Sequence, residues 1–168
     1  MKKFTLSVLV ENKFGVLARV AGLFSARGFN INSLAVAETE DPSMSRMTMV
    51  VDADEKTLEQ IKKQLNKLID VIKVIDLTKK DYIDRELVLI KVKINQKTRD
   101  KVVQTVDSLN AKVVDMGNDS LTVEEVGDMK KINATLELLR SFGIAEIVRT
   151  GRIAIQADLP AGRQGKKE

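Results

Sequence analysis

The sequence predicts an α+β chain made of two βαββαβ halves. Three observations point there. Apolar residues alternate with a period of two in short runs, as they do in half-buried strands. Other stretches repeat apolar residues at spacings of three and four, as amphipathic helices do. The order strand, helix, strand, strand, helix, strand then occurs twice in the 168 residues, although the halves share little local sequence.

Phe4, Leu6, Val8 and Val10 alternate with Thr5, Ser7 and Leu9 and open the chain as a strand. The loop Asn12-Lys13-Phe14-Gly15 follows, then a helix from Val16 to Arg27 with Leu17, Val20, Leu23 and Phe24 on one face. Gly28 ends it, because a helix commonly closes with a left-handed residue that glycine adopts without penalty. A second strand opens at Asn30 and runs through Ile31 to Thr39, and Glu40-Asp41-Pro42-Ser43 is a turn, since proline cannot continue a ladder. Arg46 to Val51 is the third strand. Asp54 caps a second helix bearing Leu58, Ile61, Leu65 and Leu68, and Val71 to Leu77 is the fourth strand. Residues 1–78 are thus expected to be one domain and residues 79–84 a polar linker.

In the second half, Val88, Ile90, Val92 and Ile94 mark a strand, and a helix from Lys97 to Leu109 carries Val102, Val106 and Leu109. Strands 111–116 and 121–126 flank the hairpin turn Gly117-Asn118-Asp119. Asp128 opens a helix with Met129, Ile132, Leu136 and Leu139, and Gly143 stops it. One last strand is expected from Ile144 to Ile155, making residues 85–157 the second domain and residues 158–168 a flexible tail. The repeated order is the ferredoxin-like motif, an antiparallel sheet with both helices on one face. Its other face should be bare, and Leu9, Leu34, Val36 and Val50 add apolar surface that one helix layer leaves uncovered. A second copy of the chain would cover it, which favours a symmetric dimer.

Composition removes several functions. Cysteine and histidine are both absent, and with them go disulfides, thiolate and imidazole metal ligands and the commonest general base. Aromatics make up only 4% of the chain, too few for a base-stacking surface. The net charge of +4 includes a basic tail and is weak for a nucleic-acid binder. No apolar run is long enough to span a membrane, no signal-peptide pattern follows Met1, and a cytoplasmic location is expected. The acidic residues between Glu38 and Glu55 read as a solvated loop and helix start, and no phosphate-binding glycine signature occurs.

One stretch, Glu11 to Val36, groups features that suit a free amino acid. The first turn of its helix offers unpaired N–H groups and the positive end of the dipole to a carboxylate. Gly15 allows close approach, and the amides of Asn12 and Asn30 can both donate and accept. Each of these residues taken singly is an ordinary turn or cap residue.

The strings LSVLVEN (6–12), GVLARVAGLFSARGFNINSLAV (15–36), DPSMSRMTMVV (41–51) and EQIKKQLNKLIDVIKVIDL (59–77) resemble the small, regulatory subunit of acetolactate synthase. The similarity continues more weakly through RELVLIKV (85–92) to RTGRIAI (149–155). Asn32 departs from it, standing where the family more often has an acidic residue, and the tail after Ala157 matches no family pattern. The resemblance implies an N-terminal ACT domain that pairs with a second copy, and a regulatory chain with no cofactor of its own. Thiamine diphosphate, magnesium and FAD would sit on a larger catalytic partner. It further implies activation of that partner and feedback inhibition by valine. The implied valine site has the carboxylate on the N–H groups around Gly15, Val16 and Leu17, the polar groups on Asn12 and Asn30, one from each chain of the dimer, and the isopropyl group against Ile31 and its apolar neighbours. A stand-alone ACT amino-acid sensor of another pathway is the alternative reading, and a ferredoxin-like RNA binder lacks the aromatics it would need.

Overall fold

A computed structural model describes residues 2–158 of the chain. By their contacts these residues fall into two compact units. One takes the chain up to Ile83 together with the segment from Arg152 onward, and the other is Asp84–Gly151. Each contains a βαββαβ fold, as the sequence predicts.

In the first unit, β1 (Lys2–Glu11), α1 (Val16–Ala26), β2 (Ile31–Glu38), β3 (Met44–Ala53), α2 (Glu55–Leu65) and β4 (Val71–Asp76) follow in order. The strands form an antiparallel sheet ordered β2-β3-β1-β4. Phe4, Leu6, Val8 and Val10 of β1 and Met47, Met49 and Val51 of β3 face both helices, which bury Val16, Val20, Leu23, Phe24, Leu58, Ile61 and Leu65 against them. Leu17 is not part of that stripe. It is 44% exposed, because Val16 takes the core position and Leu17 lies a full 100° further round the helix.

The far face of this sheet is not bare. Thr5 and Ser7 are only 2% and 3% exposed, and Thr48 and Val50 are buried with them. The expected single strand from Ile144 to Ile155 is in fact two, β8 (Ile144–Arg149) and β9 (Ile153–Gln156), broken at Gly151 with φ +79°. The second of these belongs by its contacts to the first unit and crosses the face in question. The Arg152 N–H donates to Ser33 Oγ at 3.0 Å, Arg152 Nη1 donates to Thr5 Oγ1 at 3.1 Å, and the Ala154 N–H donates to Thr48 Oγ1 at 3.4 Å. The hydroxyls that read as solvent-facing are acceptors for a covering segment, so their burial is compensated. Leu34 and Val36 pair with Met49 and Met47 and therefore lie on the helix side of the sheet. Only Leu9 and Val50 of the four extra apolar residues lie on the far face.

In the second unit, β5 (Tyr82–Lys93), α3 (Arg99–Ser108), β6 (Lys112–Met116), β7 (Ser120–Gly127), α4 (Met129–Arg140) and β8 make a sheet ordered β6-β7-β5-β8. β5 starts inside the stretch expected to be linker, at Tyr82. Its core is Val88, Ile90, Val92, Val102, Val106, Leu121, Val123, Ile132 and Leu139. The expected flexible tail lies, from residue 159 on, outside the described residues.

The caps behave as the sequence indicates. Asp54 Oδ1 accepts from the Thr57 N–H at 2.6 Å, and Asp128 Oδ1 accepts from the Lys131 N–H at 2.8 Å. The hydrogen bond from the Lys131 backbone holds the Asp128 carboxyl below its ordinary range. A carboxyl depressed by folding stabilises above its unfolded pKa, and that stability is lost as pH falls through the lower folded value. Asp128→Ala is therefore expected to cost about 1 kcal/mol at neutral pH. The difference in Tm from the native chain should close as the pH is taken below the ordinary carboxylate range. A difference unchanged at low pH would show that the charge of the cap is irrelevant.

Candidate ligand-binding site

The loop between β1 and α1 is anchored at its β1 end by backbone. The Asn12 N–H donates to the Ser43 carbonyl at 2.7 Å, and the Glu11 N–H donates to the Asp70 carbonyl at 2.9 Å. Gly15 follows as the N-cap of α1 with φ +83°, a left-handed conformation that favours glycine. The side chain of Arg19 lies back over it, so that a Cβ at Gly15 would meet Arg19 Nη1 at 3.2 Å. Arg19 is in turn fixed by Asp70, with Nε donating to Oδ2 at 2.7 Å.

The start of α1 differs from the starts of α2 and α4. No side chain caps it and no acidic residue occupies its first turn, whereas Asp54 and Asp128 cap the other two. Its early N–H groups and its dipole are thus not neutralised by the side chains of the first turn. The Val16 N–H makes only a long bond of 3.3 Å to the Lys13 carbonyl.

Beside this helix start lies an open cleft of about 280 Å³. Val10, Val16, Leu17, Val36 and Met47 give it an apolar lining, and Asn12, Lys13 and Glu38 supply polar groups. The volume suits a small ligand rather than a nucleotide. Lys13 is paired with Glu11 at 2.8 Å, and that hydrogen bond raises its pKa. Asn12 Nδ2 donates twice, to Glu38 Oε1 at 3.0 Å and to the Pro42 carbonyl at 2.9 Å. The turn that offers this carbonyl is itself ordered by Asp41, whose Oδ1 accepts from the Ser43 N–H at 2.9 Å and from the Ser43 hydroxyl at 2.7 Å. Those bonds, the hydroxyl's foremost, lower the Asp41 pKa.

Four of the six residues expected at the site therefore gather in one chain: Asn12, Gly15, Val16 and Leu17. Asn30 and Ile31 do not join them. They lie beyond the C-terminal end of α1, whose 11 residues span about 16 Å at 1.5 Å each. Sequence reasoning missed Glu38, Val36, Met47, Arg19 and Asp70. Arg19 was open to discovery, since it stands four residues after Gly15 and a helical side chain leans toward the N-terminus. Glu38 and Met47 come from strands whose register fixes them there, and no local pattern marks them. Among the described residues no group of three or more acidic side chains could hold a metal ion, and no helix is long and apolar enough to cross a membrane.

Comparison with known proteins gives matches along both halves. Residues 6–73 match the family model of the AHAS small subunit-like ACT domain, and residues 85–158 match that of the small subunit of acetolactate synthase. The acetolactate synthase small subunit of Mycolicibacterium smegmatis is 52% identical over 151 residues, which are 90% of this chain and 89% of that protein. The probable acetolactate synthase small subunit of Archaeoglobus fulgidus is 50% identical over 153 residues, 91% of this chain and 96% of that one. The crystal structure of the acetolactate synthase small subunit from Thermotoga maritima superposes with a TM-score of 0.84 at 37% identity, covering 94% of this chain and 98% of the other.

Proposed function

This chain belongs to the family of acetolactate synthase small subunits, and from that premise we propose that it is a non-catalytic regulatory subunit that binds valine. It activates a thiamine-diphosphate catalytic subunit in the cytoplasm and makes that subunit sensitive to the end product. The observation that carries the reading is the uncapped start of α1, with Gly15 in the left-handed conformation, beside a small apolar cleft. A branched-chain amino acid has the matching parts. Its carboxylate meets the N–H groups of Gly15, Val16 and Leu17 at the positive end of the helix. Its side chain enters the cleft against Leu17, Val36 and Met47. Asn12 takes a polar group from the loop side.

The remaining two residues come from a second copy. Asn30 and Ile31 are too far along α1 to reach a ligand held by their own chain. β2 begins at Ile31 and is an edge strand of its sheet, so it presents backbone groups to a partner. A dimer that apposes the helix start of one copy to the β2 start of the other completes the site twice. Binding across that interface can favour one arrangement of the subunits. A coupling of about 1–3 kcal/mol would give inhibition of ordinary size.

The test is calorimetric titration of the purified chain with valine, without and then with the catalytic subunit. Saturable binding in either case, with one site per chain, is the expected result. Absence of binding in both would rule valine out as the effector.

A further inference from the structure

The orientation of the Asn12 carboxamide is settled by its neighbours. Both groups that face its Nδ2, the Glu38 carboxylate at 3.0 Å and the Pro42 carbonyl at 2.9 Å, are acceptors without a proton to give. Turning the amide would set Oδ1 against two other oxygens and lose both bonds. Oδ1 is therefore the end of the carboxamide not engaged among the described residues, and it can only accept. A carboxylate ligand group gains nothing from it, whereas an ammonium does. The N–H groups of the helix start have the opposite polarity and suit the carboxylate.

We infer that Glu38 is a positioning residue of the amino-acid site: with the Pro42 carbonyl it fixes Asn12 so that Oδ1 accepts from the ligand's α-ammonium, and the site selects an α-amino acid over the 2-oxo or 2-hydroxy acid of the same carbon skeleton. The inference rests on the valine-binding reading above and adds its polarity. It gives the chain a way to sense the aminated end product and to ignore the oxo acid from which a transamination would make it. Glu38 is exposed and belongs to the last residue of β2, so its replacement leaves the core untouched.

The full chain, with the catalytic subunit present, is titrated with L-valine and with 2-hydroxy-3-methylbutanoate. Three proteins are compared: native, Glu38→Gln and Glu38→Ala. The native chain should bind valine and discriminate against the hydroxy acid by about tenfold or more, the size of one hydrogen bond to a charged group. Glu38→Gln keeps an acceptor oxygen for Asn12 Nδ2 and should retain most of the affinity and the discrimination. Glu38→Ala frees the carboxamide to turn. Valine affinity should fall by about tenfold, and the preference for valine over the hydroxy acid should shrink toward unity. Glu38→Ala with native affinity and native discrimination overturns the inference and leaves valine binding standing. Glu38→Gln as damaging as Glu38→Ala also overturns it, because the charge and not the orientation would then matter. A native chain that binds neither compound overturns the valine reading itself, before any variant is considered.

Discussion

Asn12→Ala is expected to raise the valine concentration for half-maximal inhibition by about 10- to 100-fold while leaving activation of the catalytic subunit close to native. The carboxamide offers one hydrogen bond to a charged ligand group, and such bonds contribute about 1.5–3 kcal/mol. Its other end ties the loop to Glu38 and Pro42, so the substitution also releases the turn at residues 39–44. That second effect should be small in stability, since Asn12 and Glu38 are exposed, and the Tm of the variant checks it. Gly15→Asp is expected to abolish inhibition by a different route. With φ at +83° the new side chain carries backbone strain of about 1 kcal/mol. Its carboxylate would also lie at the N–H groups meant for the ligand and beside Arg19 Nη1, which a Cβ already approaches to 3.2 Å. It would compete with the valine carboxylate and repel it. Activity assays with a valine series measure both effects. If either variant kept native valine sensitivity with an intact fold, the ligand would have to bind elsewhere.

Much of this was open to reading in the sequence, and the failures have physical causes. Helices α1, α2 and α4 were marked by period and by Gly28, Asp54, Asp128 and Gly143, whose caps and left-handed turns are local chemistry. The ligand loop was marked by Asn12 and Gly15. What escaped depended on contacts between distant residues. Thr5 and Ser7 look like the wet side of a strand, because alternation reports polarity and not exposure. Only the return of Arg152 to Gln156, some 145 residues later, shows what covers them: the Thr5 hydroxyl accepts from Arg152, while that of Ser7 accepts from Arg46 across the sheet. The break at Gly151 could have been suspected from the glycine, yet an apolar run on both sides of it reads equally well as one strand. Leu17 was misplaced for a simpler reason. Val16 and Leu17 are both apolar, and spacing alone allows either to join Val20, Leu23 and Phe24 on the core face.

In the second unit the largest effect should come from Arg149→Ala, at about 3 kcal/mol of lost stability. Glu86 is 5% exposed and receives both Arg149 Nε and Nη2 at 2.7 Å. The bidentate bond raises the Arg149 pKa against an opposing effect of burial. Removing the arginine leaves a buried carboxylate without its partner, which costs about 3–5 kcal/mol in fully buried pairs. The lower end applies because Arg149 itself keeps 38% exposure, so water already screens part of the interaction. Arg149→Lys should fall between, since an ammonium cannot fork onto both oxygens. The neighbouring pair supplies a control. Glu125 is 1% exposed and accepts from Lys131 at 2.6 Å, but the Val126 N–H at 2.9 Å and the Thr135 hydroxyl at 3.3 Å also serve it. Lys131→Met should therefore cost less than Arg149→Ala, because two donors remain. Denaturant unfolding of the full chain, read with hydrogen exchange at the β5 amides, measures the order. Valine affinity should stay within about twofold of native in Arg149→Ala, as substitutions without shared partners act independently. Equal losses for Lys131→Met and Arg149→Ala would mean that burial alone, and not the number of remaining donors, sets the cost of a stranded carboxylate here.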